Sequence, residues 1–176
     1  MKILILSPLF PPDTGAPASY VKELVELLSK DHEITLLVYG YLPEAVSGSK
    51  ILAVDKRALL PWRLFYFTKT LLRQGNCDLL LVNNAPSIEL PLFLVSFLKR
   101  TSYVLIESDP IAKRASEEGL YKLLHTTLKK RAQKVVVPEE ENEYKKAEIL
   151  PFVEFDAARE ARRQAWWNAH INHLIS

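Results

Sequence analysis

Short apolar runs alternate with helical patterns along most of the chain. The first run, residues 2–7, is rich in Ile and Leu and stops at a loop of prolines and glycine. Further apolar runs predict strands at residues 33–39, 51–54, 78–82, 103–106, 134–137 and 149–150. Short strands that are apolar throughout are typical of a parallel sheet buried on both faces.

Helical patterns fall between these strands. They predict helices at residues 19–29, 60–73 and 87–98, and a further helix that starts at Ser116. Glu117 and Glu118 would lie in the first turn of that further helix. The alternation predicts an α/β fold: a single Rossmann-like, mostly parallel β-sheet with helices on both faces.

The alternation of predicted strands and helices ends near residue 156. Residues 156–176 predict one last helix, with Asp156 as its N-cap and with Trp167, Ile171 and Leu174 as an apolar stripe. Because no further strand is predicted after it, we expect this helix to pack back across the sheet domain. The predicted organisation is a domain of residues 1–155 and a C-terminal helix of residues 156–176.

Composition narrows the classes of function. The 176 residues are 48% hydrophobic and 25% charged, and the net charge of +2 is too small to indicate nucleic-acid binding. The single Cys77 excludes an internal disulfide and fits a reducing compartment, and the histidines show no metal-ligand spacing. The first apolar run is too short for the h-region of a signal peptide, and no apolar run approaches the ~20 residues needed to span a bilayer. We expect a cytoplasmic protein without a metal, with the inner membrane surface as the alternative location.

The loop after the first strand is the first candidate site. In parallel α/β sheets the loops at the carboxyl ends of strands line the ligand crevice, and Asp13, Thr14, Gly15 and Ala16 occupy such a loop. Backbone N–H groups at the start of the following helix could bind a sugar or a diphosphate. The alternative is a turn that merely needs glycine. The loop is not a G-x-G-x-x-G motif, so it does not indicate a nicotinamide site.

Polar residues follow two further strands. Asn83 and Asn84 could hydrogen-bond a sugar, although asparagine is also common in turns. Glu107 and Asp109, on either side of Ser108, could act as a base or hold sugar hydroxyls. The alternative for these carboxylates is capping of the next helix. His125 has no partner that the sequence assigns, and we expect it to be structural or exposed.

The helix predicted at residues 60–73 mixes basic and aromatic side chains. Trp62, Arg63, Tyr66, Lys69 and Arg73 form a pattern suited to the interface of an anionic membrane. The alternative is a core-packed helix whose Lys and Arg side chains reach outward to water.

The opening motif resembles that of a known family. Phe10-Pro11-Pro12-Asp13-Thr14-Gly15, followed by a helix and then by residues 32–36, resembles the N-terminal domain of family 4 glycosyltransferases of the GT-B fold. Residues 132–138 and 149–156 resemble the family's later strand and its exit into the interdomain linker. The resemblance covers about residues 1–156. It implies a lobe that binds a sugar or a lipid-linked acceptor, and it implies no cofactor in this lobe.

The chain also departs from the family pattern. It has Gly15-Ala16 where the family often has Gly-Gly, and Ser108-Asp109 where the family has His-Asp. The second domain, which holds the nucleotide-sugar and the paired-glutamate motif, has no counterpart in these residues. The resemblance therefore implies the acceptor half of a glycosyltransferase that is inactive alone, with no catalytic residue assigned and enzyme status left open.

Several alternatives stay open at this point. The donor domain could be supplied by a partner chain, and the chain could form a homodimer. The competing class is a non-catalytic scaffold or binding module, natural or engineered, derived from such a domain. A third interpretation is a small nucleotide-binding α/β protein unrelated to sugar transfer.

Overall fold

The computed structural model describes residues 1–99, 102–137 and 157–176. The chain divides into two compact units, Met1–Val136 and Val137–Ser176. Each unit is described by itself below.

The first unit is built on one parallel sheet. Its strands are β1 (Lys2–Ser7), β2 (Glu33–Tyr39), β3 (Ser49–Val54), β4 (Leu79–Asn83), β5 (Val104–Ile106) and β6 (Lys134–Val136). Their order across the sheet is β3-β2-β1-β4-β5-β6, and every pair of neighbours is parallel. This arrangement confirms the predicted Rossmann-like α/β fold.

Helices connect these strands and cover the sheet. They are α1 (Ala16–Leu28), α2 (Leu60–Arg73), α3 (Pro86–Leu98), α4 (Pro110–Ala115) and α5 (Gly119–Arg131). On one face, Leu4 and Leu6 of β1 belong to a core cluster with Phe67 of α2 and Leu92 of α3. Alternate residues of a strand point to opposite faces, and α1 contacts β1 and β2. Both faces are therefore apolar, which explains why β1 is apolar at nearly every position.

The prediction of a helix that starts at Ser116 is wrong at its N-terminal end. The structure instead has the short helix α4, which ends at Ala115, and α5, which begins at Gly119. Asp109 caps α4, and Gly119 has φ +61, a left-handed conformation that glycine adopts at little cost. Glu117 and Glu118 precede α5 and do not form its first turn.

The second unit contains α6 (Ala157–Ile175), which agrees with the predicted last helix. Trp167 and Leu174 of the predicted apolar stripe are buried. The packing of this helix across the sheet domain stays a prediction. The predicted strand at residues 149–150 and the predicted cap Asp156 lie outside the described residues. None of the helices in the described part of the chain is both long and apolar enough to cross a bilayer.

Candidate functional site

The carboxyl ends of the six parallel strands lie along one edge of the sheet. At the centre of this edge β1 and β4 are neighbours, with Leu6 opposite Val82. The chain leaves β1 toward β2 and leaves β4 toward β5, on opposite sides. Such a reversal of strand order opens a gap between the two following loops, which is where α/β proteins bind ligands. We call this gap the crevice.

Two asparagines stand at the end of β4, next to the crevice. Asn83 and Asn84 are both fully buried. The Nδ2 atom of Asn83 donates to the carbonyl oxygen of Leu6 at 3.4 Å, and its Oδ1 accepts from the Ser108 hydroxyl at 2.8 Å. Asn84 accepts from the backbone N–H of Asp109 at 3.0 Å and donates to the carbonyl oxygen of Asp109 at 3.1 Å. These amides therefore hold residues 107–109, the crevice loop, against β4.

Asp109 and Ser108 complete this arrangement. The Oδ1 atom of Asp109 accepts from the backbone N–H groups of Ile111 at 2.9 Å and Ala112 at 3.2 Å, which is an N-cap for α4. The structure thus brings five of the predicted site residues together at the end of β4 and in the crevice loop: Asn83, Asn84, Glu107, Ser108 and Asp109. Hydrogen bonds join Asn83 to Ser108 and Asn84 to Asp109. Asp109 therefore has the helix-capping role that the sequence offered as the alternative to a role in the site.

Glu107 is the buried carboxylate of the crevice loop. Its Oε1 atom accepts from Lys129 Nζ at 2.6 Å and lies 3.4 Å from His125 Nε2, and the side chain is only 3% exposed. Burial raises the pKa of Glu107, but the Lys129 hydrogen bond and the charges of Lys129 and His125 outweigh it and lower the pKa overall. A carboxylate held ionised in this way is a poor proton acceptor. The geometry therefore argues against general-base catalysis by Glu107, which is one of the two roles predicted from the sequence.

His125 makes contacts that sequence reasoning missed. Its Nδ1 atom lies 3.0 and 3.1 Å from the two carboxylate oxygens of Glu89, a residue of α3 that is fully buried. Tyr121 donates its hydroxyl to Glu89 at 2.9 Å. The hydrogen bond to Glu89, with the charges of Glu89 and Glu107, raises the pKa of His125 against the opposing effect of burial. Burial and the charge of Glu89 likewise raise the pKa of Tyr121.

A signal for this cluster is present in the sequence. Tyr121, His125 and Lys129 are spaced i, i+4 and i+8 and so share one face of α5. Glu89 is the only charged residue of α3, which is apolar apart from two serines. A lone acid in a buried helix needs a partner, and a row of hydrogen-bonding side chains on another helix can supply one.

The loop after β1 carries the other predicted carboxylate. Asp13 Oδ1 pairs with Lys56 Nζ, whereas Asp13 Oδ2 is buried and has no hydrogen-bond partner within the described residues. Gly15 has φ +138 and ψ 153, a conformation almost restricted to glycine. The N-terminus of α1 has no side-chain cap and no acidic residue in its first turn. Asp13, Thr14, Gly15 and Ala16 thus lie where β1 meets α1, at the same edge of the sheet as the crevice loop.

The aromatic residues of α2 face outward. Trp62, Phe65 and Tyr66 are 55%, 53% and 49% exposed. The core-packed alternative therefore applies to Phe67 and Leu71, the buried residues of α2, and not to these three. Lys69 Nζ lies 5.8 Å from the centre of the Phe65 ring. Arg63 donates to the carbonyl oxygen of Lys56 at 3.0 Å, so this arginine belongs to the protein's own loop contacts.

The helix layer to which α2 belongs is strongly basic. Helix α2 packs on α3, and α3 packs on α5. Their only acidic residue is the buried Glu89. Their basic residues are Arg63, Lys69, Arg73, Lys122, Lys129, Lys130 and Arg131. A groove of about 490 Å³ lies between α3 and α5, with Leu90, Phe93 and Leu123 among its lining residues.

Metal binding finds no support in these contacts. The described residues contain no group of three or more His, Cys, Asp or Glu side chains placed to hold an ion. In the cluster around His125 the two carboxylates face opposite nitrogens of the ring, so they do not converge on one point.

Comparison with known proteins adds little to this picture. No protein-family model matches the sequence, and no curated protein matches it significantly. Among the solved structures that match is that of a Listeria monocytogenes protein assigned as a UDP-N-acetylglucosamine 2-epimerase, with 14% sequence identity and a TM-score of 0.49. The match covers 85% of this chain and 42% of that chain, so this chain spans less than half of that protein. A likeness at this level carries no argument about function, and membership of family 4 stays a prediction.

Proposed function

We propose that the first unit is the acceptor-binding lobe of a two-lobed, nucleotide-sugar-dependent glycosyltransferase. The observation that carries the proposal is a pair of carboxylates at the carboxyl edge of the sheet. Asp13 and Glu107 are each bonded through one oxygen to a lysine, Lys56 and Lys129. No bond to the second oxygen, Asp13 Oδ2 or Glu107 Oε2, occurs within the described residues.

These second oxygens suit an acceptor rich in hydroxyl groups. Each second oxygen can accept a hydrogen bond from an O–H donor, and such bonds to a carboxylate are short and strong. Asn83 bonds Leu6 of β1 and Ser108, and Asn84 bonds Asp109 twice, so in this proposal the two asparagines position the crevice loop that carries Glu107 and do not touch the ligand. The opening motif supports the same class of ligand through the resemblance to family 4.

Transfer itself requires a second lobe. A sugar donor and an acceptor must be held together across a closing cleft, and the edge described here is one wall of such a cleft. We therefore expect no transfer from a nucleotide-sugar to an acceptor by these residues alone. Turnover by the isolated chain would contradict this part of the proposal.

Binding can be tested by NMR with a set of simple probes. Methyl glycosides of glucose, galactose and mannose are titrated into the 15N-labelled chain. We expect shifts in the backbone amides of Asp13, Thr14 and Gly15 and of the crevice loop. Asp13→Asn and Glu107→Gln should each weaken binding about tenfold, because each removes a charge-assisted acceptor.

Matched controls come from the opposite edge of the sheet. Asp31→Asn and Glu33→Gln change exposed carboxylates that lie before β2 and at its first residue. They should leave the probe shifts unchanged. Shifts confined to other surfaces, or equal binding by the site variants and the controls, would refute the proposal and favour a non-catalytic scaffold.

We also propose that the α2 face contacts an anionic membrane surface. The supporting observation is that three aromatic side chains stand exposed on a helix layer whose exposed charges are all basic. Aromatic rings at such positions sit at the level of lipid headgroups, while lysine and arginine attract anionic lipids. This location would suit a lipid-linked acceptor.

Co-sedimentation with vesicles tests this contact. Vesicles of phosphatidylcholine with and without 30% phosphatidylglycerol (roughly the anionic content at which surface attraction is strong) are compared. Lys69→Gln/Arg73→Gln should weaken binding to the anionic vesicles about tenfold or more, since each cation contributes about 1 kcal/mol. Lys30→Gln/Lys50→Gln, which removes two exposed cations outside this layer, is the control. Equal pelleting of the two double variants would end the membrane proposal and leave the acceptor proposal standing.

A further inference from the structure

The His125 ring links helix α3 to the crevice loop. One ring nitrogen, Nδ1, lies against Glu89 of α3 at 3.0 Å, and the other, Nε2, lies against Glu107 of the crevice loop at 3.4 Å. Both carboxylates are almost entirely buried, and the imidazole is 8% exposed. The ring is therefore a bridge between two acids from different parts of the fold.

This geometry specifies the protonation state of the ring. A neutral imidazole has one N–H donor and one lone pair, whereas the imidazolium has two donors. Each nitrogen faces a carboxylate oxygen, which can only accept. Only the doubly protonated ring satisfies both contacts, because a neutral ring would place a lone pair against one of the carboxylates.

Other titratable and charged groups surround this bridge. On α5, Tyr121 donates to Glu89, and Lys129 donates to the same oxygen of Glu107 that faces His125. On α4, Lys113 adds a positive charge that acts on Glu107. In the crevice loop, Asp109 adds a negative charge that acts on Tyr121. With Glu89 and Glu107, these groups make the cluster close to neutral only when His125 is charged.

The bridge is connected to the crevice by consecutive residues. Glu107 precedes Ser108, which bonds Asn83, and Asp109, which bonds Asn84 through two hydrogen bonds. A shift of the Glu107 side chain therefore acts on the same three-residue loop that forms one side of the crevice.

We propose that His125 is a positioning residue for Glu107, and that the second proton on its ring fixes the crevice loop in its ligand-binding position. When that proton leaves, the Nε2 lone pair repels Glu107 Oε1, and Lys129 alone holds the carboxylate. The crevice loop then changes its contacts with Asn83 and Asn84. The consequence for acceptor affinity rests on the proposed function, but the structural coupling does not.

The coupling is tested by NMR without any ligand. The chain is labelled with 15N, and the His125 ring and the side-chain amides of Asn83 and Asn84 are followed from pH 5 to 9 (roughly 1.5 units below to 2.5 above the ordinary histidine value). We expect the His125 ring to titrate with a midpoint above 6.5, its ordinary value. The two asparagine amides should shift with the same midpoint.

Variants separate a proton-dependent role from a merely structural one. Glu89→Gln removes the main contribution that raises the His125 midpoint, so it should lower the midpoint for the ring and for the asparagine amides together. His125→Lys keeps a cation at this position. It should abolish the pH-dependent shift of the two asparagine amides, which should keep their low-pH chemical shifts throughout the titration. His173→Gln, at an exposed histidine of α6, should leave every curve unchanged.

Two results would overturn the proposal. One is a His125 titration that the asparagine amides do not follow, and the other is a midpoint at or below 6.5. If Glu89→Gln fails to fold, the comparison of the unmodified chain with His125→Lys decides. Repeating the methyl glycoside titration at pH 5.5 and 8.5 (roughly one unit below and two above the ordinary histidine value) tests acceptor affinity separately. Coupled shifts without glycoside binding at either pH would refute the proposed function and leave the positioning role intact.

Discussion

Replacing Asn84 by alanine tests the organisation of the crevice most directly. The side chain is fully buried, and its two hydrogen bonds both go to the backbone of Asp109. Alanine removes both bonds and leaves a small space beside β4. We therefore expect Asn84→Ala to lower the free energy of unfolding and to release the crevice loop.

The magnitude follows from the number and surroundings of these bonds. Each contributes about 1 kcal/mol net, and Asp109 is only half-buried, so water can pair again with its N–H and carbonyl groups. Adding the lost packing of a buried side chain gives a total of about 2–3 kcal/mol. For a chain of this size that loss corresponds to a fall in Tm of about 4–12 °C.

Urea unfolding followed by far-UV circular dichroism measures this loss. The m-value should stay constant, since the change affects stability and not the surface exposed on unfolding. Asn172→Ala, at an exposed position of α6, is the control and should change stability by less than about 0.5 kcal/mol. A loss for Asn84→Ala as small as that of the control would refute the idea that this residue holds the crevice loop.

Three further predictions concern the loop before α1, the core and the cluster around His125. Gly15→Ala should lower stability by about 1–3 kcal/mol in urea unfolding, because a Cβ strains a backbone at φ +138; an unchanged midpoint would show that the loop adjusts freely. Phe67→Ala, which removes a fully buried ring stacked on Tyr39 at 4.6 Å, should cost about 3–5 kcal/mol by thermal unfolding, and a cost below about 1 kcal/mol would contradict the described core. The pKa of His125 is raised in the folded state, so its contribution to the free energy of unfolding is complete below pH 6.5 and is lost as pH rises through the raised value. The pKa of Glu107 is lowered in the folded state, so its contribution is complete above pH 4.5 and is lost as pH falls through the lowered value. The cluster should therefore stabilise the fold most between pH 4.5 and 6.5, and stability should decline above this window as His125 loses its proton. Unfolding curves measured within and above the window should show that His125→Gln removes this decline.

The strands were predictable from local sequence because their environment is simple. Residues 2–7 and 33–39 are apolar on both faces, and the structure places β1 and β2 at these positions. Helix α4 and the start of α5 at Gly119 were missed, because the first depends on the Asp109 cap and the second on the left-handed conformation of Gly119, and a helical pattern alone does not reveal either.

The polar residues at strand ends were predictable as a set but not in their roles. Parallel strands bring their carboxyl ends to one edge, so Asn83, Asn84 and Glu107 had to lie near each other. Whether each faces a ligand or the protein depends on partners far away in sequence. Asn84 is satisfied by Asp109, and Glu107 by Lys129, at sequence separations of 25 and 22.

The sequence by itself determined the class of fold and the edge of the sheet that carries the candidate site, because hydrophobic periodicity and strand–helix alternation are local properties that fix a parallel sheet. The tertiary structure alone decided the partnership of Glu89, His125 and Glu107. The order of the strands and the packing of α3 on α5 bring these residues together, and a buried charge is stable only where the fold places its counter-charge.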